Sequence, residues 1–477
     1  MSGSVTKNTA FMTMASVMQK VLSFFYFTLI ARHIGADATG KYFLALSLTT
    51  IFVVFVDLGL NNVLIRESAK QKNKAQNYFA NIIFLKIFLG LFSYLALFLV
   101  VNFLNYDIEV KNLVYLSGLT MLFDSVHLSI YGVLRSFGRL KFEAIGIVLS
   151  QFLTLSMGTI FLYLNFPLIF LILAFTIPSF LNVVYSASIL YFKFSIKLRP
   201  NFDKNIIKYF AKIAIPFALA AIFARVYSYI DSVLLSKLIS TEAVGWYSIP
   251  YKITYAFQFV PLALVAGLYP RFSELFVVDK KRLSIVLQNS LKYLLIVVFP
   301  IVVGIGVLAS DIILSIYGVG YYNSILPLQI LLVGLLFSYI SFPLGAFLNA
   351  CNMQVKQTTI VFFAMVLNIV LNIVLIPKLS VVGASISALG GNMLLAVSAY
   401  LLVPRVIAVS HSYILKSFLQ VFVSAGVMGV VVYLVNIQVH YTLAIVIGVL
   451  VYPFMLFITR AVNTRQIREM LGVVKIK

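Results

Sequence analysis

Apolar residues run along this chain in long blocks, separated by short polar patches. A helix needs about 20 apolar residues to cross the hydrocarbon core of a bilayer. Fourteen blocks reach that length, at 10–32, 40–62, 78–104, 112–135, 142–164, 168–192, 208–236, 245–272, 288–310, 324–350, 355–377, 380–403, 413–435 and 440–460. They are continuously apolar and lack the period-two alternation of a membrane β-barrel. In hydrocarbon, a helix is then the way to satisfy every backbone N–H and C=O within the segment. The pattern therefore predicts an all-α integral membrane protein with about 14 transmembrane helices. Prolines 178, 216, 261, 300 and 343 fall inside blocks and predict kinks, one of which could serve as a hinge. The first block runs through Ala31, contains Lys20 and has no small-residue cleavage pattern, so it reads as a span rather than a signal peptide.

Composition agrees: 62% of residues are hydrophobic and 10% charged, against roughly 25% charged in soluble domains. The net charge of +22 would suggest nucleic acid in a soluble protein, but here its distribution gives orientation instead. With the N-terminus in the cytoplasm, the inner connectors hold nearly all of the cations. Examples are Arg66, Lys70, Lys72 and Lys74 after the second block, and Lys193, Lys197, Arg199, Lys204, Lys208 and Lys212 around the start of the seventh. The outer connectors are short and balanced. By the positive-inside rule both termini are cytoplasmic, and the expected location is the plasma (inner) membrane. The short outer connectors leave no room for an extracytoplasmic catalytic domain.

An internal repeat appears at an offset of 205 residues. Residues 34–42, IGADATGKY, align without gaps on 239–247, ISTEAVGWY. The same offset pairs Lys20 with Arg225, Arg66 with Arg271 and Ser68 with Ser273. It spans six helices, an even number, so both copies keep one topology. This predicts two pseudo-symmetric six-helix lobes: 1–200 (helices 1–6) and 201–405 (helices 7–12). Residues 406–477 add helices 13–14 and a basic cytoplasmic tail. Parallel repeats with a site between them are a transporter plan.

Seven charged residues fall within the blocks and at least five residues from either end: Lys20, Asp57, Lys86, Asp124, Arg225, Asp231 and Lys252. Each costs roughly 2.5–3.5 kcal/mol at the bilayer centre. Seven facing lipid would cost on the order of 20 kcal/mol, beyond the roughly 5–15 kcal/mol stability of a domain. Most must therefore face protein or a wet cavity, although Lys86, near a block end, could snorkel. One reading is a cationic cavity between the lobes, built on Lys20 and Arg225, extended by Lys252 and flanked at the inner helix ends by Arg66 and Arg271. Such a cluster suits a diphosphate. The other is that Asp57, Asp124 and Asp231 pair with these cations and fix helix packing. Asp124 and His127, three apart on one helix, share a face and could relay a proton or cation, or form a polar packing pair.

Other chemistry is not signalled. Gly35 to Lys41 reads GxxxxGK, but Tyr42 stands where a P-loop needs Ser or Thr and no strand precedes it, so the glycines read as a tight turn. The four histidines are scattered, and Cys351 is the single cysteine. No metal site, cofactor, disulfide or covalent catalytic motif is expected, nor a nucleic-acid partner.

Several stretches together resemble the polysaccharide repeat-unit flippases (Wzx-like) of the MOP exporter superfamily. Asp57-Leu58-Gly59-Leu60 followed by Ile65-Arg66-Glu67 is similar to the family's D-x-G and R-[DE] pattern. Tyr229-Ile230-Asp231-Ser232, then Glu242-Ala243-Val244-Gly245-Trp246-Tyr247 and Tyr251-Lys252, resemble its helix 7–8 block. Tyr269-Pro270-Arg271-Phe272-Ser273, Leu348-Asn349-Ala350, Asn368 to Pro377 and Val382-Gly383-Ala384-Ser385 resemble later motifs. The resemblance implies a MATE-like fold and a carrier, not an enzyme. It would move an isoprenoid-diphosphate-linked oligosaccharide from the cytoplasmic to the outer leaflet by alternating access. Its partners would be membrane lipids and, in its pathway, glycosyltransferases and a polysaccharide polymerase. A cation-coupled drug or metabolite antiporter on the same plan is an alternative. A membrane glycosyltransferase or ligase is another, and would need the large outer loop this sequence lacks.

Overall fold

The computed structural model describes residues 2–462. The tail cations Arg465, Arg468, Lys475 and Lys477 lie outside the described residues, as do the side chains of Lys7 and Pro216. Every long element described is a helix. In chain order they are α1 (Ser2–Asp57), α2 (Leu60–Lys70), α3 (Ala75–Phe103), α4 (Ile108–Ser136), α5 (Leu140–Tyr163), α6 (Ile169–Phe194), α7 (Lys204–Leu238), α8 (Thr241–Phe257), α9 (Phe259–Val278), α10 (Lys280–Val307), α11 (Ala309–Ile316), α12 (Ile325–Ala350), α13 (Gln354–Leu379), α14 (Val381–Leu402), α15 (His411–Gln438) and α16 (Tyr441–Ile458).

Thirteen helical stretches among the described residues are long and apolar enough to cross a membrane. The first, Phe11–Lys70, is 60 residues long. As a straight helix it would reach about 90 Å, three times a hydrocarbon core of about 30 Å. It is broken at Gly35, where φ is 76° and ψ 177°. That conformation strains any residue with a Cβ, so glycine permits the kink, and the stretch is long enough for two crossings. The total is then fourteen, in the places the apolar blocks predict. Pro178, Pro300 and Pro343 sit inside α6, α10 and α12, and Pro261 lies in the first turn of α9, just past the break between α8 and α9.

Connector acids serve as helix caps. Asp107 accepts from the backbone N–H of Val110 at 3.1 Å, and Asp279 from that of Arg282 at 2.9 Å. Each satisfies a donor the helix itself leaves open. Large apolar side chains such as Leu91, Phe92, Phe192 and Leu450 are exposed, the arrangement expected of a protein solvated by hydrocarbon.

The chain forms two compact units, divided between Ser248 and Ile249 within α8. In the first, α1 packs on α4, α5 and α7, and α4 packs on α6. Leu60, Leu64, Phe79, Ile82, Leu134 and Phe210 form an apolar core cluster there. The helix read as first of the second lobe, α7, thus packs within this unit, against α1, α2 and α3. The connector leading into it is sewn onto α3. Lys197 and Gln76 exchange two hydrogen bonds, the Asn201 N–H donates to the Ala80 carbonyl, and the Asp203 N–H donates to Asn81 Oδ1. In the second unit α12 packs on α10 and α14, α13 on α14, and α15 on α10 and α16. Phe272, Leu287, Phe347 and Val403 belong to its core cluster.

Candidate functional site

Polar side chains on four helices of the first unit face one another around a cavity of about 540 Å³. Each helix contributes a stripe at helical spacing. From α1 come Ser16, Gln19 and Ser23; from α4, Asp124, His127, Tyr131 and Arg135; from α5, Glu143, Ser150, Gln151 and Thr154; from α6, Ser179 and Asn182. In lipid these groups would be costly. Turned inward, they line a space large enough for water or a polar ligand.

Two ionic constellations occupy this cavity. In the first, Asp124 Oδ1 accepts from Ser179 Oγ at 2.7 Å and lies 3.0 Å from His127 Nε2. Because a carboxylate accepts, the Nε2 of His127 carries the hydrogen. His127 is 9% exposed, and its Nδ1 has no protein hydrogen-bond partner; the same holds for Nε2 of Gln151. Buried polar atoms are normally satisfied, so both suit water or a ligand in the cavity. In the second constellation Arg135 grips Glu143 through two guanidinium nitrogens, Nε at 2.6 Å and Nη2 on the other carboxylate oxygen. Glu143 is 1% exposed. Nearby, the Tyr131 hydroxyl donates to Asn182.

The remaining predicted residues fall into separate groups. Asp57 pairs with Lys86 at 2.7 Å, and Lys86 also donates to Asn61 Oδ1 at 3.0 Å. Lys86 is 3% exposed. It does not snorkel, because a carboxylate and an amide within reach repay its desolvation in place. Asp231 is buried and accepts from the Tyr247 hydroxyl at 2.7 Å. Arg66 and Arg271, the repeat pair at helix ends, each meet a nearby acid: Glu67 at 3.3 Å and Glu274 at 2.8 Å. Lys20 is half-buried on α1 and Arg225 exposed on α7. Lys20 follows Gln19, about a quarter-turn round the helix from the cavity stripe. Lys252 is half-buried on α8, in the second unit.

Sequence reading does not single out the Arg135–Glu143 pair. Glu143 lies inside the fifth apolar block, and that position was the available signal. It also passed over the Gln19, Gln151 and Asn182 amides, which carry no charge to mark them.

A family model described as "Polysaccharide biosynthesis protein" matches residues 5–276, more than half of the chain. The chain belongs to that family. A second model, MatE, matches residues 216–374 of this polysaccharide biosynthesis family member, which sits in the MOP exporter superfamily. It is 30% identical to "Probable flippase AglR" of Haloferax volcanii over 213 residues, 43% of this chain. That match spans 44% of the relative, less than half its length. "Probable low-salt glycan biosynthesis flippase Agl15" of the same organism is 22% identical over 376 residues, 78% of each chain. Among solved structures, lipid II flippase MurJ in an inward closed conformation superposes with a TM-score of 0.74 at 19% identity, over 94% of this chain and 98% of the other. The fold is shared.

Proposed function

We propose that this protein is a flippase that carries an isoprenoid-diphosphate-linked oligosaccharide from the cytoplasmic to the outer leaflet by alternating access. The observation that carries the reading is the combination of a flippase-like fold over nearly the whole chain with ionic side chains set inside spanning helices. A glycan diphosphate cannot cross hydrocarbon unless polar and charged groups replace its hydration. In this reading Lys20, Arg225 and Lys252, with Arg66 and Arg271 at the inner helix ends, compensate the diphosphate. The isoprenoid tail stays in lipid. The Asp124–His127 pair takes up a proton or cation that drives the cycle, since no nucleotide-binding motif is available to do so. Glycosyltransferases and a polymerase would act before and after it.

The test is transport of a lipid-linked oligosaccharide in proteoliposomes, or polymer export in cells, by K20A/R225A at normal protein level. Loss of at least tenfold is expected. Wild-type activity in the double variant would remove the cationic mechanism. A second reading, a cation-coupled drug antiporter, is favoured by the acids Asp124 and Glu143 in the first-unit cavity. It predicts broad drug resistance in a pump-deficient strain and no effect on glycan export.

A further inference from the structure

The repeat segments 34–42 and 239–247 touch, and they do so reciprocally. A Cβ on Gly40 would overlap the Thr241 carbonyl and the Gly245 nitrogen, while a Cβ on Gly245 would overlap the Ala36 carbonyl. Adding 205 turns Gly40 into Gly245 and Ala36 into Thr241. The contact therefore maps onto itself, as an isologous two-fold interface does. Glycine at both positions lets the backbones meet with no side chain between them. Across the seam the Thr241 hydroxyl donates to Asp37.

The same end of α7 is tied to the α3–α4 connector. Tyr106 and Ser236 share a hydrogen bond of 2.8 Å, and the Lys237 ammonium lies 3.4 Å from the centre of the Tyr106 ring. Lys41 gathers Asp37 at 3.1 Å, Glu109 at 2.8 Å and Asp107 at 3.8 Å. The letters that mimic a phosphate loop, Gly35 to Lys41, thus have another use. Gly35 turns the chain, Gly40 permits the close approach, and Lys41 binds the neighbouring carboxylates.

We propose that this self-complementary seam is a latch closing the outer end of α1 and α7, and that every transport cycle must part it. The inference rests on the transport reading above for the words outer and cycle. Its physics suits a contact that opens repeatedly. Bare backbone surfaces separate without reordering side chains, and the exposed hydrogen bonds and ion pairs can be exchanged for water.

The test uses full-length protein with Cys351→Ala. In D37C/T241C, oxidation or a short bis-thiol bridge should cut glycan transport at least tenfold, with recovery on reduction of the disulfide. The single-cysteine proteins should be unaffected by the same treatment. Full transport by the cross-linked protein would show a fixed pivot and overturn the latch. A second measurement does not need transport: labelling of A36C by an impermeant maleimide added outside. In G245V, or T241A should G245V not fold, labelling should quicken at least tenfold. An unchanged rate in a folded variant would overturn the latch. If wild-type protein moves no lipid-linked glycan, the transport reading fails, and the labelling rates alone decide whether the seam opens.

Discussion

Two cavities in this protein are built from the same material, membrane helices packed side by side, yet they offer opposite media. The one among α1, α4, α5 and α6 is lined by carboxylates, an imidazole, a guanidinium, amides and hydroxyls. The one among α10, α15 and α16, about 360 Å³, is lined by Pro300, Ile305, Met428, Val432, Ile445, Val449 and similar side chains. The single polar tip there, the Tyr452 hydroxyl, is turned away to the Ile296 carbonyl at 2.7 Å. A polar cavity can hold water and ions; an apolar one excludes them and accommodates hydrocarbon. Backbone architecture provides the space, and side chains facing it choose what can enter.

The sharpest way to break this contrast is to exchange its chemistry. V432D puts a carboxylate into the apolar groove and should destabilise the protein by about 3 kcal/mol or more. S150D, in the polar cavity, should cost less than about 1 kcal/mol. Thermal unfolding in one detergent compares them, and equal losses would erase the distinction. Next in size is R135A, which strands the buried Glu143 carboxylate and should cost about 3 kcal/mol; R135A/E143Q should recover most of that. If the single and double variants unfold together, the pair is not a structural element of the cavity. D57N, which leaves Lys86 without its carboxylate but keeps an amide oxygen, should cost about 2 kcal/mol, read in the same assay. An unchanged midpoint would mean that Asn61 alone suffices.

The smallest effect concerns the second unit's packing. Cys351 is 4% exposed, and burial pushes its thiol up to about 11. The thiol is therefore protonated at pH 7–9, and maleimide labelling of the native protein should be negligible there. Because the folded pKa is raised, the stability contributed by the neutral thiol is full below about 8.5 and is lost as pH rises through 11. Rapid labelling at pH 7 would show that the core around Phe347 and Val403 opens.

The spans, their number and the family were legible because each depends on short-range properties. Twenty apolar residues cross a bilayer wherever they lie, and 34–42 aligns on 239–247 without gaps, sharing Ile, Ala, Gly and Tyr at four positions. The ionic partners were not legible in the same way. Asp57 selects Lys86 on α3, Glu143 selects Arg135 across the α4–α5 turn, and Asp231 accepts from the Tyr247 hydroxyl. The Asp124–His127 contact could be foreseen because i and i+3 are adjacent on any helix. Its place in a cavity with Ser179 and Gln151 could not.

By itself, then, the sequence determined that this chain is an all-helical membrane protein of many spans, that it carries an internal repeat at an offset of 205 residues and that its spans hold charges that need company. These follow from transfer free energies and local periodicity, which each segment has on its own. Only the tertiary structure decided which charge meets which, that Gly40 and Gly245 let two backbones touch, and that one cavity is polar and the other apolar. Those outcomes depend on how each helix is rotated about its axis against its neighbours, and the packing of all the helices together sets that rotation.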